Sequence, residues 1–139
     1  MTFVGLDGRS YVVSLRQYLP DDRPRSAGHL FARELVAKLF PFERAYEEIP
    51  ANGCGTALYF DFYLPGLRLL AEVQGEQHRK YVPWFHHTPE GFRAQRRRDA
   101  LKREWCAANK LTLCSLDDDR RDEWADVLRQ AVYGRSGLA

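Results

Sequence analysis

Residues 57–75 read ALYFDFYLPGLRLLAEVQG, and this stretch decides the fold. Both halves are rich in strand-forming residues, the Pro65-Gly66 dipeptide separates them, and a glycine ends the second half. The stretch therefore predicts two strands joined as a hairpin. Each half carries one carboxylate inside an otherwise apolar run, Asp61 in the first and Glu72 in the second. An ionised carboxylate in an apolar strand is costly unless it is compensated, so we look for function here.

Antiparallel pairing around this turn places Asp61 opposite Glu72, on one face of the sheet. Gln74 lies two residues beyond Glu72 and therefore points to the same face. Two carboxylates this close repel each other, and a divalent cation compensates for both charges. Hard oxygen ligands suit Mg²⁺ or Mn²⁺, which polarise a phosphate and lower the pKa of bound water. The alternative is that the two acids are edge residues or pair with arginines such as Arg68.

Outward from the hairpin, the pattern predicts one α/β domain spanning residues 1–139, with a central mixed sheet flanked by helices. Residues 1–25 form a ribbon and loop, residues 26–116 the core, and residues 117–139 a C-terminal helix. Cap and breaker residues set the remaining elements. They are a helix from a Ser26 cap to about Phe40, a strand at 46–49, a helix from a Thr88 cap to about Asn109, a strand at 111–116, and a helix at 122–133.

Composition narrows the class of protein. The chain has 139 residues, 45% of them hydrophobic, which is enough for one core without a metal or disulfide staple. Three cysteines form no CxxC pair, so a disulfide framework and a zinc ribbon are not indicated. Apolar runs are far shorter than the roughly twenty residues of a membrane span. We therefore expect a soluble protein of the cytoplasm, in a bacterium or a bacterial host cell, with no membrane partner.

Charge is segregated along the chain although the net charge is only +2. Residues 91–110 carry seven basic and two acidic side chains, whereas residues 117–126 carry six acids and two arginines. A basic helix of this kind suits a polyanionic partner, and the alternative is an ordinary solvated face.

The hairpin resembles a known catalytic signature. Asp61, ten intervening residues and then Glu72-Val73-Gln74 resemble the D…(D/E)-x-K pattern of the PD-(D/E)XK nuclease superfamily, with glutamine in place of the usual lysine. Residues 71–78, AEVQGEQH, resemble the E-V-x-G-x-x-H segment of its branch of very-short-patch-repair-like endonucleases and related phage and homing-type nucleases. Residues 34–40, 60–65 and 98–113 also resemble that branch, so the likeness covers about residues 26–116.

This resemblance implies a restriction-endonuclease-like domain with an αβββαβ core that cuts phosphodiester bonds in DNA with Mg²⁺ or Mn²⁺, nicking included. Asp61 and Glu72 would ligate the metal, Gln74 would stand in the place of the lysine, and Glu34 would be an outer-sphere or second-metal acid. Glutamine carries no charge and is no useful base, which leaves that role to metal-activated water or to His78. The alternative for His78 is a hydrogen bond at the strand end.

The basic helix then becomes the expected DNA-contacting element, through Arg93, Arg96, Arg97, Arg98, Lys102 and Arg103. The loop at residues 84–87 is expected either to touch bases or to pack as a lid. A zinc site built from His78, His86, His87 and cysteines is disfavoured by its irregular spacing. Three other functions stay open. One is a resolvase for Holliday junctions and other branched DNA, which would need a dimer. Another is a catalytically inactive DNA-binding module, which Gln74 favours, and the third is a nuclease that acts on RNA. The sequence leaves the oligomeric state open.

Overall fold

The computed structural model describes residues 1–75 and 88–134. A two-stranded antiparallel ribbon comes first, and the larger sheet and its helices follow. The elements are β1 (Thr2–Val4), β2 (Ser10–Val12), α1 (Ala27–Leu39), β3 (Tyr46–Pro50), β4 (Tyr59–Leu64), β5 (Leu69–Gln74), α2 (Pro89–Ala108), β6 (Thr112–Asp117) and α3 (Trp124–Tyr133). The predicted α/β class, and the order of a helix, three strands, a helix, a strand and a helix, are confirmed.

The two predicted helix caps are present. Ser26 Oγ accepts a hydrogen bond from the His29 backbone N–H at 3.1 Å, and Thr88 Oγ1 accepts one from Gly91 at 3.0 Å. Each bond satisfies an N–H group that has no partner within its helix, which fixes where α1 and α2 begin.

The four-stranded sheet has the order β3-β4-β5-β6. The first two pairings are antiparallel and β5 pairs with β6 in parallel, so the sheet is mixed, as expected. Strands β4 and β5 pair Phe62 with Ala71 and Leu64 with Leu69. This is the register predicted from the turn, and its continuation sets Asp61 opposite Glu72.

The turn between β4 and β5 is a single 3₁₀ turn, Pro65–Leu67, which ends at Arg68 in the left-handed conformation with φ 51°. Strand β5 therefore begins two residues later than expected. The Arg68 guanidinium donates to the carbonyl oxygens of Asn109 and Lys110 at 2.9 and 3.1 Å. These bonds tie the hairpin turn to the end of α2, so the alternative in which Arg68 pairs with the strand carboxylates is wrong.

Helices cover both faces of the sheet, and the sheet separates the interior into two cores. On one face α1 and α3 enclose the helix-pair core, whose largest members are Trp124, Phe40 and Phe62. On the other face α2 and the ribbon enclose the ribbon core, built on Phe3, Ile49, Phe60, Tyr63 and Trp105. The Asn109 side chain bonds both the N–H and the C=O of Val4, at 2.7 and 2.9 Å, which holds the ribbon against α2.

Two apolar side chains of the helices stay partly exposed, and two cysteines are buried free thiols. Phe31 lies at the rim of the helix-pair core and is therefore 43% exposed; its ring packs edge-on against Trp124, with 5.5 Å between the ring centroids. Val127 is 36% exposed although its neighbours Trp124 and Leu128 are buried. Cys106 and Cys114 are free thiols in different cores, as the absence of a disulfide pattern predicted. Among the described residues, no helix is both long enough and apolar enough to cross a membrane.

Candidate functional site

Asp61 lies where β4 separates from β5, at a position that we call the fork. The β4–β5 pairs end at Phe62 and Ala71. One residue before Phe62 on β4, a side chain continues the pairing in place of the backbone: Asp61 Oδ2 accepts a hydrogen bond from the Val73 backbone N–H at 2.9 Å. A carboxylate thus replaces a backbone carbonyl in the ladder, which holds the side chain in a fixed place between the strands.

Strand β3 is irregular at the same level. Its pairs with β4 run from Glu47 with Phe62 to Ile49 with Phe60 and skip Glu48, which stands opposite Asp61. Glu48 has φ 56°, a left-handed conformation that costs a residue with a side chain roughly 1–2 kcal/mol. Phe60 belongs to the ribbon core and Phe62 to the helix-pair core, although residues two apart in a regular strand share a face. The strand faces therefore exchange at the fork, and Asp61 lies between the two layers.

The electrostatic surroundings of Asp61 agree with this position. Burial raises the pKa of Asp61, and the Glu48 charge adds to the rise, while the Val73 hydrogen bond and the charges of His29 and Lys102 oppose it. His29 belongs to α1 and Lys102 to α2, so groups from both layers act on the same carboxyl. The net pKa remains above the usual value for aspartate.

Glu72 is 5% exposed and turns toward α2. Lys102 Nζ lies 2.8 Å from Glu72 Oε1 and 5.4 Å from the centroid of the Phe60 ring. Burial raises the pKa of Glu72, Lys102 opposes that rise, and the negative charge of Asp61 adds to it. The charge of Asp61 therefore acts on Glu72, and Lys102 opposes the rise in the pKa of both carboxyls.

A cleft of about 430 Å³, which we call the site cleft, opens between α2 and the ends of β5 and β6. Its polar lining comprises Glu72, Gln74, Arg96, Asp99, Lys102, Arg103 and Ser115. Three cations of α2 thus face the Glu72 carboxylate and the Gln74 amide across one opening. An anion can be bound in this cleft beside an acidic centre.

The structure separates the cations expected to contact DNA into groups. Arg96, Lys102 and Arg103 line the site cleft. Arg97 and Arg98 line another cleft, with Leu101, and Arg93 forms an exposed ion pair with Glu90 at 2.9 Å. The predicted contact surface on α2 therefore divides, and only part of it lies beside Glu72.

Glu34 is not brought to this cluster. It lies two residues after buried Ala32 and two before buried Val36, which puts it on the exposed side of α1. No contact among the described residues joins it to Asp61 or Glu72. His29 is the α1 residue whose charge acts on Asp61. His78, the loop at 84–87 and the two histidines of the zinc alternative lie outside the described residues.

Two features of the site were missed from the sequence. The first is the contact of Lys102 with Glu72, for which the signal was the position of Lys102 four residues before the buried Cys106 on one stripe of α2. The second is a buried ion network at Glu47. Glu47 Oε1 is 2.8 Å from His29 Nε2, and Arg33 donates to both carboxylate oxygens at 2.8 Å.

This network stabilises the layer beside the fork. Burial raises the pKa of Glu47, but the hydrogen bonds from His29 and Arg33 outweigh that effect and lower the pKa to about 2. The His29 ring also stacks on Phe62, with 4.6 Å between the centroids. The sequence indicated part of the Glu47 network, because His29 and Arg33 are four residues apart and so lie on one face of α1.

The donor chemistry fits a hard divalent cation. Within the described residues Asp61 Oδ1 and Glu72 Oε2 form no hydrogen bond or ion pair. Gln74 lines the site cleft with Glu72, whereas Asp61 is not among the described residues that line that cleft. Oxygen donors of this kind suit Mg²⁺ or Mn²⁺, which keep several waters as ligands. The described part of the chain holds no group of three or more histidine, cysteine, aspartate or glutamate side chains arranged to bind a metal.

Two viral proteins are similar to the chain. One is the uncharacterized protein 307L of Invertebrate iridescent virus 6, 35% identical over 118 residues, which cover 75% of this chain and 60% of the relative. The other is the uncharacterized protein 033L of Invertebrate iridescent virus 3, 32% identical over 91 residues, with coverage of 63% and 47%. The chain thus spans 60% and 47% of the lengths of these relatives. Because both come from viruses of invertebrates, they lend no support to the bacterial setting that we expected. No family model matches the chain, and no solved structure does.

Proposed function

We propose that the chain is a metal-dependent DNA endonuclease with a restriction-endonuclease-like αβββαβ domain, and that it hydrolyses phosphodiester bonds at the fork. The observation that carries this proposal is the pair of carboxyls at the fork: half-buried Asp61, held by the Val73 N–H one residue beyond the last β4–β5 pair, and buried Glu72 on β5. Burial raises the pKa of both, so each is a costly acid for the protein to keep. Perturbed acids in a cleft are typical of functional sites.

The cations beside the pair support a phosphate-containing substrate. Arg96 and Arg103 line the site cleft without an ion pair to Glu72 in the described contacts. Arginine presents a planar fork of donors that matches phosphate oxygens. These two side chains would hold the DNA backbone on either side of the bond that is cut.

Lys102 has a separate role in this proposal. Gln74 stands where the related signature has a lysine, and the amide carries no charge. Lys102 reaches the same acidic centre from α2, with Nζ 2.8 Å from Glu72 Oε1. We assign it the positive charge that the strand lacks, placed to stabilise negative charge on the phosphate as the attacking water adds and the 3′-oxygen leaves.

Asp61 and Glu72 would hold the divalent cation, with Gln74 as a neighbouring amide. When bound, Mg²⁺ or Mn²⁺ polarises a phosphoryl oxygen and lowers the pKa of water. The protein's own contribution is to fix the two carboxyls: the Val73 N–H orients Asp61, and the rigid β5 backbone holds Glu72. Asp61 and Glu72 would both be ionised in the metal complex.

One specific observation favours a second function. Lys102 already neutralises part of the Glu72 charge without any metal. A DNA-binding module that lacks catalysis would retain the same ion pair. In that protein Arg96 and Arg103 would still bind phosphate, and no bond would be cut.

Incubation with supercoiled plasmid in Mg²⁺, Mn²⁺ or EDTA separates the two functions. We expect nicked or linear DNA with either metal and none in EDTA. Asp61→Asn should lose cleavage and keep DNA binding, whereas Asp126→Asn, a change at a carboxylate that is 90% exposed on α3, should cut normally. Salt-sensitive binding without cleavage in either metal would identify the inactive module. Normal cleavage by Asp61→Asn would show that the ligand assignment is wrong.

A four-way junction and a linear duplex of the same sequence complete the experiment. Preferential, paired incision of the junction would favour the resolvase alternative, and sedimentation of the protein with the junction would show whether a dimer is bound. Equal cutting of both substrates would favour a general endonuclease.

A further inference from the structure

A second cleft, which we call the outer cleft, adjoins the fork at Asp61. It has a volume of about 440 Å³ and lies between the segment before α1 and the strands β3 and β4. Its lining includes Tyr18, Leu19, Arg25, Glu48, Tyr59 and Asp61. The volume falls within the roughly 300–1,000 Å³ of pockets that hold small organic molecules. Asp61 is thus a wall of this cleft as well as a member of the proposed catalytic pair.

The outer cleft has an aromatic and aliphatic part, formed by Tyr18, Leu19 and Tyr59. Tyr59 is 55% exposed at the start of β4, and Leu19, which lines the same cleft, is 43% exposed. An exposed aromatic ring at the mouth of a cleft is a surface on which a flat ring can stack. The ordinary occupants of a strand surface, small or charged side chains, would offer no such contact.

The floor of the outer cleft is polar and nearly balanced in charge. The Arg25 side chain is only 9% exposed and forms ion pairs with Glu48 and, at 3.4 Å, with Asp21. Its Nε–H is buried and has no hydrogen-bond partner among the described residues. Glu47 is already bound by His29 and Arg33, which leaves Arg23 and Arg25 facing Glu48 and Asp61. A balanced set of donors and acceptors suits a neutral polar ring better than a phosphate or a metal ion.

Backbone strain is concentrated at the same place. Glu48 adopts φ 56°, and in that conformation its carboxylate meets both Arg25 and, at 3.7 Å, Arg23. Strain of this kind persists where the surrounding structure requires it, often at ligand sites. Here it holds the acceptor side of the floor beside Asp61.

We propose that the outer cleft binds one unpaired nucleobase next to the phosphate that the site cleft would cut, so that the substrate is DNA with an unpaired nucleotide. This inference rests on the proposed function for the position of the cut, and base binding itself can be measured without cleavage. Tyr59 provides the stacking surface, and the guanidinium of Arg25 with the carboxylate of Glu48 provides donors and acceptors for the base edge.

Short oligonucleotides that contain 2-aminopurine, bound in EDTA, test this proposal. Three DNAs of one sequence are compared: a single strand, a duplex with one unpaired 2-aminopurine, and a fully paired duplex. We expect the two unpaired DNAs to bind about tenfold more tightly than the paired one, measured by fluorescence anisotropy, with quenched 2-aminopurine emission on binding. Tyr59→Ala should lose about tenfold in affinity for the unpaired DNAs alone, and Tyr59→Phe should retain it.

Phe42→Ala is the matched control, because Phe42 is an aromatic residue 97% exposed and not part of the outer cleft. Equal affinity for paired and unpaired DNA would overturn the proposal, as would wild-type binding by Tyr59→Ala. Plasmid cleavage distinguishes this failure from that of the proposed function. If DNA is cut but unpaired bases are not preferred, only the outer-cleft proposal is wrong. If unpaired bases are preferred and stacked but nothing is cut with Mg²⁺ or Mn²⁺, base binding stands and the nuclease assignment is wrong.

Discussion

Replacement of Lys102 by methionine is the most informative perturbation of the candidate site. The ion pair joins Nζ to Glu72 Oε1 at 2.8 Å, between side chains that are 16% and 6% exposed. Loss of one partner from such a buried pair destabilises a protein by about 3–5 kcal/mol, because the other charge is left uncompensated. Glu72 can take up a proton, since its pKa is already raised, so we expect the lower end, about 3 kcal/mol. Methionine preserves the alkyl packing against Phe60.

A divalent cation should reverse part of this loss. Without Lys102, the carboxylate of Glu72 depends on the metal for compensation, so Mg²⁺ should stabilise Lys102→Met more than it stabilises the wild type. A ligand present at about 100 times its Kd stabilises the folded state by about 2.7 kcal/mol. Plasmid cleavage should meanwhile fall by about 100-fold or more, the usual effect of removing one group that stabilises developing charge.

Urea unfolding in EDTA and in MgCl₂, followed by tryptophan fluorescence, measures both effects. Lys38→Met is the control, because Lys38 is exposed on α1 and should change neither stability nor its response to Mg²⁺. Lys102→Met as stable as the wild type in EDTA would refute the energetic reasoning. An equal gain from Mg²⁺ in both proteins would show that Glu72 does not bind the ion. Undiminished cleavage would remove Lys102 from the catalytic group.

Three further predictions address the neighbouring groups. Asp61→Asn should be at least as stable as the wild type at pH 7 in EDTA, because burial makes the charged carboxylate costly; a lower urea midpoint would contradict this. The Glu47 pKa falls from 4.5 to about 2 on folding. This difference stabilises the protein by about 3 kcal/mol above pH 4.5, and the stabilisation is lost as the pH falls toward 2. Glu47→Gln should therefore lose about 3 kcal/mol of unfolding free energy at pH 7 and much less near pH 2, and an equal loss at both would argue against the network. Combined replacement of Arg96 and Arg103 by alanine should reduce the salt dependence of DNA binding in EDTA by about two released counterions, with Arg129→Ala as the exposed control; an unchanged slope would exclude both from phosphate contact.

Much of the fold could be predicted from local signals. A Pro-Gly turn between two apolar runs fixed the β4–β5 register, because a shift by one residue would turn every buried side chain toward the other face. Ser26 and Thr88 marked helix starts for an equally local reason, since each side chain satisfies an N–H three residues ahead. Such features depend on a few adjacent residues, so the sequence displays them directly.

The fork had no local signal. A left-handed glutamate such as Glu48 has no sequence signature, because glycine or asparagine is the usual residue at positive φ. Alternation along β4 therefore predicted regular faces, whereas Phe60 and Phe62 enter different cores. The position of Asp61 between the layers follows from this irregularity, and only the three-dimensional structure reveals it.

The candidate site was predictable in its strand residues and less so in its helical ones. Glu72 and Gln74, which line the site cleft together, followed from strand alternation, whereas the place of Asp61 between the layers did not. Lys102 was one of six similar cations on α2, and charge alone does not say which of them turns inward. Glu34 was expected near the metal by resemblance alone, and the burial pattern of α1 turns it outward.

The division of the interior into two cores has an evolutionary consequence. The Lys102 ammonium lies over the Phe60 ring, and Lys102 is on the same helix as Trp105; both aromatic residues belong to the ribbon core. Replacements in that core would therefore disturb the acidic centre along with the packing. Among the described residues, no side chain of α2 belongs to the helix-pair core. Sequence drift should therefore be better tolerated on the side of α1 and α3, which makes that side the more suitable place to engineer stability or attach a reporter without altering chemistry.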